Sequence, residues 1–429
     1  MTFLGTLYAL LAVILSKQQS IVVNLAPKTT WILVLFALLC PIDILGQYAL
    51  PSLNPNTPNV NPAVIPWRTK SSISLGSEYK KLEYGEPKYS VEISSQYYGM
   101  FALAGDLVPK RVRTGFEIVT RGVKIDETNY KGITIEGIGT LEGTRRNTRS
   151  TNTIDKSAGA SIGPISIGYT DVSKAQFRAD DDMTYTLPNY LNTYKVDLRV
   201  VDNAGWDEKV ERLGVTIRLG KREGSHLVIG YGTRTTTKTK NDFSRELTTS
   251  IVNNSTGASA SGYPKTTFTR FTVSAHEEKE TLTGLGFRNG IDKENKYHFE
   301  VFNIRKPEVS FSDNSSNLYT WGEENTNGII FETQTKKYSF LLEGKQTLLK
   351  GFCNFGPAYY CNSSSSFYGI DTSTNQLQLS IGFFINVFRI TLGFGNSERT
   401  IIKHNATSIL SNDAYYLSHS FLINLGYEL

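Results

Sequence analysis

From about residue 70 onward, apolar and polar residues alternate one for one in short runs separated by clusters of Gly, Asn, Ser, Lys and Asp. In Arg212-Leu213-Gly214-Val215-Thr216-Ile217-Arg218-Leu219-Gly220, one face carries Leu, Val, Ile and Leu and the other Arg, Gly, Thr, Arg and Gly. Tyr194, Val196, Leu198 and Val200 alternate with Lys195, Asp197 and Arg199 in the same way, and Leu227, Ile229 and Tyr231 with Gly230, Gly232 and Arg234. A period of two is that of an extended strand with unlike faces. Counted back from Leu429, the pattern predicts sixteen strands: 415–429, 387–396, 375–384, 338–350, 327–336, 308–320, 296–305, 279–288, 266–275, 225–234, 208–220, 191–202, 174–186, 160–170, 132–142 and 111–125. Ser71 to Leu103 offers a further pair, and fourteen and eighteen stand as alternatives.

A soluble β-sandwich also alternates, with its apolar face turned inward. Three features favour a transmembrane antiparallel up-and-down β-barrel. Charged residues and glycine recur on the polar face, as beside a water-filled lumen. The segments approach the roughly 9–11 residues with which a tilted strand crosses hydrocarbon. Tight turns alternate with long polar loops, the asymmetry of outer-membrane barrels. Nothing after Leu45 is apolar for long enough to span as a helix, which needs roughly 20 residues. The residue counts agree: 23 Tyr and 22 Phe against 14 Pro and 3 Met suit strands.

In the last segment Tyr415, Leu417, His419, Phe421, Ile423, Leu425, Tyr427 and Leu429 share one face, with Tyr416, Ser418, Ser420, Leu422, Asn424, Gly426 and Glu428 on the other. On this segment the chain resembles bacterial outer-membrane β-barrel proteins, porin-like as a class. The resemblance implies that Phe421, Ile423, Leu425, Tyr427 and Leu429 form the signal read by the barrel-assembly machinery. The class prefers a terminal Phe or Trp, whereas this chain has Leu429. The resemblance also implies the outer membrane as location and its lipid and lipopolysaccharide as surroundings.

Two apolar segments open the chain, Phe3 to Leu15 and Trp31 to Leu45. Lys28 followed by Trp31 to Leu39 reads as a secretory signal, with cleavage expected after Gly46. The division expected is 1–46 targeting segment, 47–70 Pro/Asn-rich linker or plug, and 71–429 barrel. Repeated Pro between Pro51 and Pro66 blocks both helix and central strand, so this stretch is a linker, a periplasmic tail or a segment folded into the barrel mouth.

A net charge of +5, from 45 basic and 40 acidic residues, does not imply nucleic acid. The polar phase carries Arg111, Arg113, Arg121, Lys195, Arg199, Arg212, Arg218, Arg234, Arg270, Arg288 and Arg389, with Glu117, Asp197, Glu300 and Glu332 among them. As lumen-lining residues they give an electropositive pore that favours anions; paired across strands they brace the wall. Cys353 and Cys361 are expected to close a loop disulfide. Tyr97, Tyr98 and Phe101, like Tyr415 and Tyr416, read as girdle aromatics at the headgroup level. Hydrolase and metal signatures are absent, and no enzyme, metal or cofactor is expected.

The function expected first is a pore or transport channel for small solutes with an anion preference. A FadL-type transporter of hydrophobic compounds is the alternative, although only Asn61-Pro62-Ala63 matches its Asn-Pro-Ala-Gly-like motif. A surface adhesin or structural barrel without transport is the other reading, and a barrel hydrolase a further one. The oligomeric state is left open.

Overall fold

A computed structural model describes Ala49 and residues 61–68, 70–84, 90–109, 111–129, 133–135, 139–190, 194–220, 224–239, 241–289, 295–312, 318–352, 369–404 and 414–428. The targeting segment 1–46, the pair Cys353 and Cys361, and Leu429 lie outside the described residues.

A short 3-10 helix, Pro62–Trp67, precedes the strands. They are β1 (Ser72–Tyr84), β2 (Ser90–Val108), β3 (Val112–Asn129), β4 (Ile133–Ile135), β5 (Gly139–Ile162), β6 (Ile165–Tyr190) and β7 (Tyr194–Leu219). The middle of the chain holds β8 (His226–Lys238), β9 (Asn241–Asn253), β10 (Lys265–Val273), β11 (His276–Arg288), β12 (Lys296–Lys306), β13 (Val309–Ser312) and β14 (Leu318–Trp321). The last five are β15 (Glu323–Gln334), β16 (Tyr338–Phe352), β17 (Gly369–Ile385), β18 (Phe388–His404) and β19 (Ala414–Glu428).

Fourteen of these close a barrel, each strand antiparallel to the next. The ring runs β1-β2-β3-β5-β6-β7-β8-β11-β12-β15-β16-β17-β18-β19 and shuts where β19 pairs back on β1, from Ser72 opposite Glu428 to Tyr84 opposite Tyr416. Fourteen replaces the sixteen expected, for two reasons. The expected strands 160–170, from Ile165 on, and 174–186 are one strand, β6, with a register shift between Val172 and Ala175, and 191–202 and 208–220 are one strand, β7, whose neighbour changes from β9 to β8 between them. The segments 266–275 and 308–320 belong to hairpins outside the ring: β10 pairs with β9, and β13 with β14. The pair foreseen between Ser71 and Leu103 supplies β1 and β2.

The wall is inside out relative to a water-soluble protein. On β7, Leu213 is 59% exposed while the neighbouring Thr216 is fully buried, and on β1 Leu75 is 66% exposed beside Ser74 at 2%. Val215, Ile217, Ile229, Phe394, Phe421, Ile423, Leu425 and Tyr427 continue this exposed apolar belt. A soluble sandwich places these residues inside, so the alternation is that of a wall with lipid outside and polar groups within. Tyr97 and Phe101 belong to the exposed face, but Tyr98 points inward, which corrects its expected place in the girdle.

The two ends differ. At one end the strands turn tightly, at Gly163-Pro164 between β5 and β6 and at Asn386-Val387 between β17 and β18, one residue later than expected. Gly163 and Asn386 have φ of 59° and 58°, the left-handed conformation that two-residue hairpins demand and that Gly and Asn tolerate. The start of β1 and the end of β19 lie at this end. At the opposite end β5, β6 and β7 run to 24, 26 and 26 residues, far beyond what the membrane requires, and the outer half of β7 pairs with β9.

Replacing Leu213 by Arg puts a charge in mid-belt, at a cost of about 2–4 kcal/mol for a charge near the bilayer midplane. The heat-modifiable, folded fraction in lipid vesicles is expected to collapse at lower urea than in the wild type. Thr216→Ser, on the inner face of the same strand, is expected to leave the transition in place.

Candidate functional site

Residues 61–68 lie inside the barrel at its tight-turn end, and the wall is shaped to receive them. Gly115 on β3, Gly159 on β5, Gly168 on β6 and Gly214 on β7 are direct cross-strand partners in one row, which Gly232 on β8 extends. A Cβ at Gly115 would lie 2.7 Å from Ile65, at Gly159 2.7 Å from the Pro62 carbonyl, at Gly168 2.3 Å from Pro62 and at Gly214 1.8 Å from the Asn61 side chain. Only glycine allows the plug backbone to approach this closely.

The plug is also held by directed contacts. Asn61 caps the short helix, its side-chain oxygen accepting from the Ala63 N–H at 3.0 Å, and Pro62 occupies the first helical position, where its missing donor costs nothing. Ser166 donates to the Ala63 carbonyl at 2.5 Å, and the Arg113 guanidinium donates to the carbonyls of Pro66 and Arg68. Arg68 forms a buried ion pair with Glu117 and also contacts Met100 Sδ at 3.4 Å. Trp67 packs on the buried pair Ala49 and Val228, with the Arg218 guanidinium 5.5 Å from its ring centre. The Ala49 N–H donates to Glu300 at 3.0 Å. Residues 61–68 therefore touch the wall at β2, β3, β5, β6, β7 and β8, and Ala49 touches it at β8 and β12.

Most cations expected in the lumen face inward, and carboxylates meet Arg113, Arg121, Arg212 and Arg234 among them. Asp155 takes Arg212 at 3.1 Å and Arg121 at 3.6 Å; Arg234 pairs with Glu280 at 3.3 Å. Glu278 receives Lys238 at 2.5 Å and Lys306 at 2.6 Å. His298 sits between Glu300 at 3.0 Å and Glu332 at 3.3 Å, directly across the ladder from the buried Arg288. Arg389 donates to Ser339 at 2.5 Å and lies 4.4 Å from the Phe384 ring centre. Arg218 also donates to the Gly163 carbonyl at 3.1 Å.

Four residues fall elsewhere. Lys195, paired with Asp197, and Arg199, paired with Asp182, lie on the outer half of β7, beyond its pairing with β8. Arg111 is exposed in the connection between β2 and β3, and Arg270 is exposed on β10, outside the ring. The alternation that placed these four in the lumen continues into segments that are not barrel wall.

Alternation also passed over the apolar residues of the inner face. Leu282 on β11, Phe302 and Ile304 on β12 and Ile330 on β15 share the phase of the buried Glu300 and Glu332, and Phe302 and Ile330 are 0% and 1% exposed. The Phe302 ring lies over Gly328, whose missing side chain leaves it room. A second inner patch, Met100, Ala102 and Val119 with Tyr98, lies beside the Arg68–Glu117 pair. Their signal in the sequence was apolar residues occurring on both phases of one strand.

No protein-family model matches the chain, and no curated protein matches its sequence. Solved structures do. A TodX monoaromatic hydrocarbon channel, the deltaS2S3 mutant, superposes with a TM-score of 0.54 over 90% of this chain and 96% of its own, at 9% identity. The deltaS2 mutant of TodX gives 0.52 over 86% and 93%, at 8% identity. A FadL homologue of Pseudomonas aeruginosa gives 0.47 over 89% and 96%, at 10% identity. The chain thus has the fold of outer-membrane transport barrels. At these identities the likeness is one of fold.

The seat of the plug is directly testable. With Val64→Cys as a reporter in a background whose cysteines are replaced by serine, labelling by a membrane-impermeant thiol reagent is expected to be slow. Adding Gly168→Val or Glu117→Ala is expected to speed it at least tenfold, since breaking a buried ion pair costs about 3–5 kcal/mol. Equal rates in all three proteins would mean that the row and the pair do not hold the segment.

Proposed function

We propose that this protein is an outer-membrane channel for small hydrophobic compounds, closed at its periplasmic end by residues 61–68. The observation that carries the reading is the set of inward-facing apolar side chains Leu282, Phe302, Ile304 and Ile330 in a wall whose inner charges are largely matched. A pore for hydrated ions has no use for apolar side chains on its inner face, whereas an apolar solute leaving water gains about 25 cal/mol for each Å² of apolar surface it buries. The fold likeness to monoaromatic hydrocarbon channels agrees with it. The tight-turn end faces the periplasm by the rule that outer-membrane barrels keep short turns inside and long loops outside.

The anion-selective pore expected first loses its physical basis where guanidinium groups sit against carboxylates. Asp155 answers Arg212 and Arg121, Glu280 answers Arg234, and Glu117 answers Arg68. A fixed charge matched at contact distance projects little field into the lumen. These arginines act as braces of the wall and plug.

Lipid vesicles are freely permeable to hydrocarbons, so the test belongs in cells whose lipopolysaccharide layer is the barrier and which lack hydrocarbon channels of their own. Expression of this protein is expected to raise the initial uptake of radiolabelled toluene several-fold, and Phe302→Asp with Ile330→Asp to abolish the gain. Unchanged toluene uptake together with faster entry of a hydrophilic sugar would contradict the reading.

A further inference from the structure

The loop-side edge of the lipid-facing belt changes character on one side of the barrel. On β1, β2, β6, β8 and β18 the outward position there is aromatic, Tyr79, Tyr97, Tyr169, Tyr231 and Phe394, as in a girdle at the headgroup level. On the consecutive strands β12, β15, β16 and β17 it is an amide: Asn303, Asn327, Gln346 and Asn375 are direct ladder partners in one row. The row has the outward phase of the exposed Phe299 on β12, Tyr338 on β16 and Ile381 on β17, and Asn327 that of Phe331, the ladder partner of Phe299. Its side chains bond one another. The Asn303 amide donates to Asn325 at 2.5 Å and to Asn327 at 3.1 Å, and that of Gln346 to Asn375 at 3.2 Å. The next row toward the tight-turn end, Val301, Ile329, Gly344 and Leu377, is apolar. Gly344 has no side chain, which leaves a slot in the belt below Gln346, between Ile329 and Leu377.

We infer that this patch is a lipid site on the outside of the barrel, for an outer-leaflet glycolipid whose acyl chains are amide-linked and hydroxylated. One chain lies in the slot over Gly344, and the amide and hydroxyl at its head bond the side chains of Asn327, Gln346 and Asn375. Position decides the kind of occupant. A side chain facing outward at the edge of the belt meets lipid, where a polar group without a partner is costly. The chemistry of the row decides the lipid. Each amide both donates and accepts, and the bonds within the row use only part of that capacity. An ester-linked chain offers acceptors alone, whereas an amide or a hydroxyl offers both. Phosphate is not what the patch holds: the charges bordering it are the Arg305–Glu323 pair, at 2.9 Å, and Glu398, the ladder partner of Asn375, and their sum is negative. The inference is independent of what passes through the lumen.

Two uncharged lipids with chains of equal length separate the possibilities. One is glucosamine carrying an amide-linked and an ester-linked 3-hydroxytetradecanoyl chain; the other is glucose carrying two ester-linked tetradecanoyl chains. Each is titrated into the protein refolded in detergent micelles, and native mass spectrometry reads the fraction of protein that retains one lipid. The amide-linked lipid is expected to bind about fivefold to thirtyfold more tightly, the effect of one or two hydrogen bonds. Asn327→Leu with Gln346→Leu is expected to bring it to the affinity of the ester-linked lipid, and Gly344→Phe, which fills the slot, to weaken both. Heat-modifiable migration identifies the folded protein in each sample. Equal affinity of the wild type for the two lipids, or amide replacements that keep the wild-type preference, would overturn the inference. So would a protein dimer that forms in place of the lipid complex and is dissolved by the same replacements, since that would assign the patch to a second copy of the chain.

Discussion

Everything in this molecule follows from the fact that hydrocarbon offers a peptide group no hydrogen-bond partner. A strand inside a bilayer must have both edges paired, and only a closed ring supplies that. The closure falls between β19 and β1, which pair along the whole of β1. Once the ring is shut, the two faces of every strand acquire different solvents. Leu213, Val215 and Ile217 turn outward to lipid, while Gly214, Thr216 and Arg218 turn inward. The inversion that would unfold a soluble sheet is here the stable arrangement.

A ring of fourteen strands encloses more space than side chains alone fill, and the chain uses its own N-terminal segment in that space. Seating it demands two opposite things of the wall. The backbone must approach closely, which the in-register glycines of β3, β5, β6 and β7 permit, and it must be held, which Arg113, Ser166 and the Arg68–Glu117 pair accomplish. Buried ion pairs are poor sources of net stability, because desolvation offsets their attraction, but breaking one is costly. That asymmetry suits a segment that has to stay in one place. The same arithmetic explains why Asp155 serves two arginines and Glu278 two lysines: a carboxylate turned into a confined lumen is tolerable only when it is matched.

The class of fold was legible because a period of two survives any misplacing of strand ends. The strand number was not. A register shift inside β6 and a change of neighbour along β7 fall where the one-dimensional pattern breaks, and the β9–β10 and β13–β14 hairpins alternate as barrel strands do. Arg270 was misplaced for that reason. The glycine row was invisible for a deeper one: Gly115, Gly159, Gly168 and Gly214 are far apart in the chain, and only the register shows that they are neighbours. Asn61-Pro62-Ala63, too short to weigh as a motif, is the segment that lies on them. The partners of the arginines were likewise hidden, since Asp155 is brought to Arg212 by the intervening β6 rather than by any spacing in sequence. The apolar inner patch was the one missed feature that left a trace, as Phe299, Val301, Phe302 and Ile304 put apolar residues on both faces of β12.

The central claim is that the lumen is closed to ions by its own N-terminal segment and that its charges brace the structure instead of filtering solutes. Planar-bilayer recording of the purified protein measures this directly. The account predicts no steady ohmic conductance in the wild type, and a conductance without marked ion selectivity once residues 47–68 are deleted. A wild-type protein that conducts steadily, with a reversal potential showing anion preference in dilute salt, would contradict it.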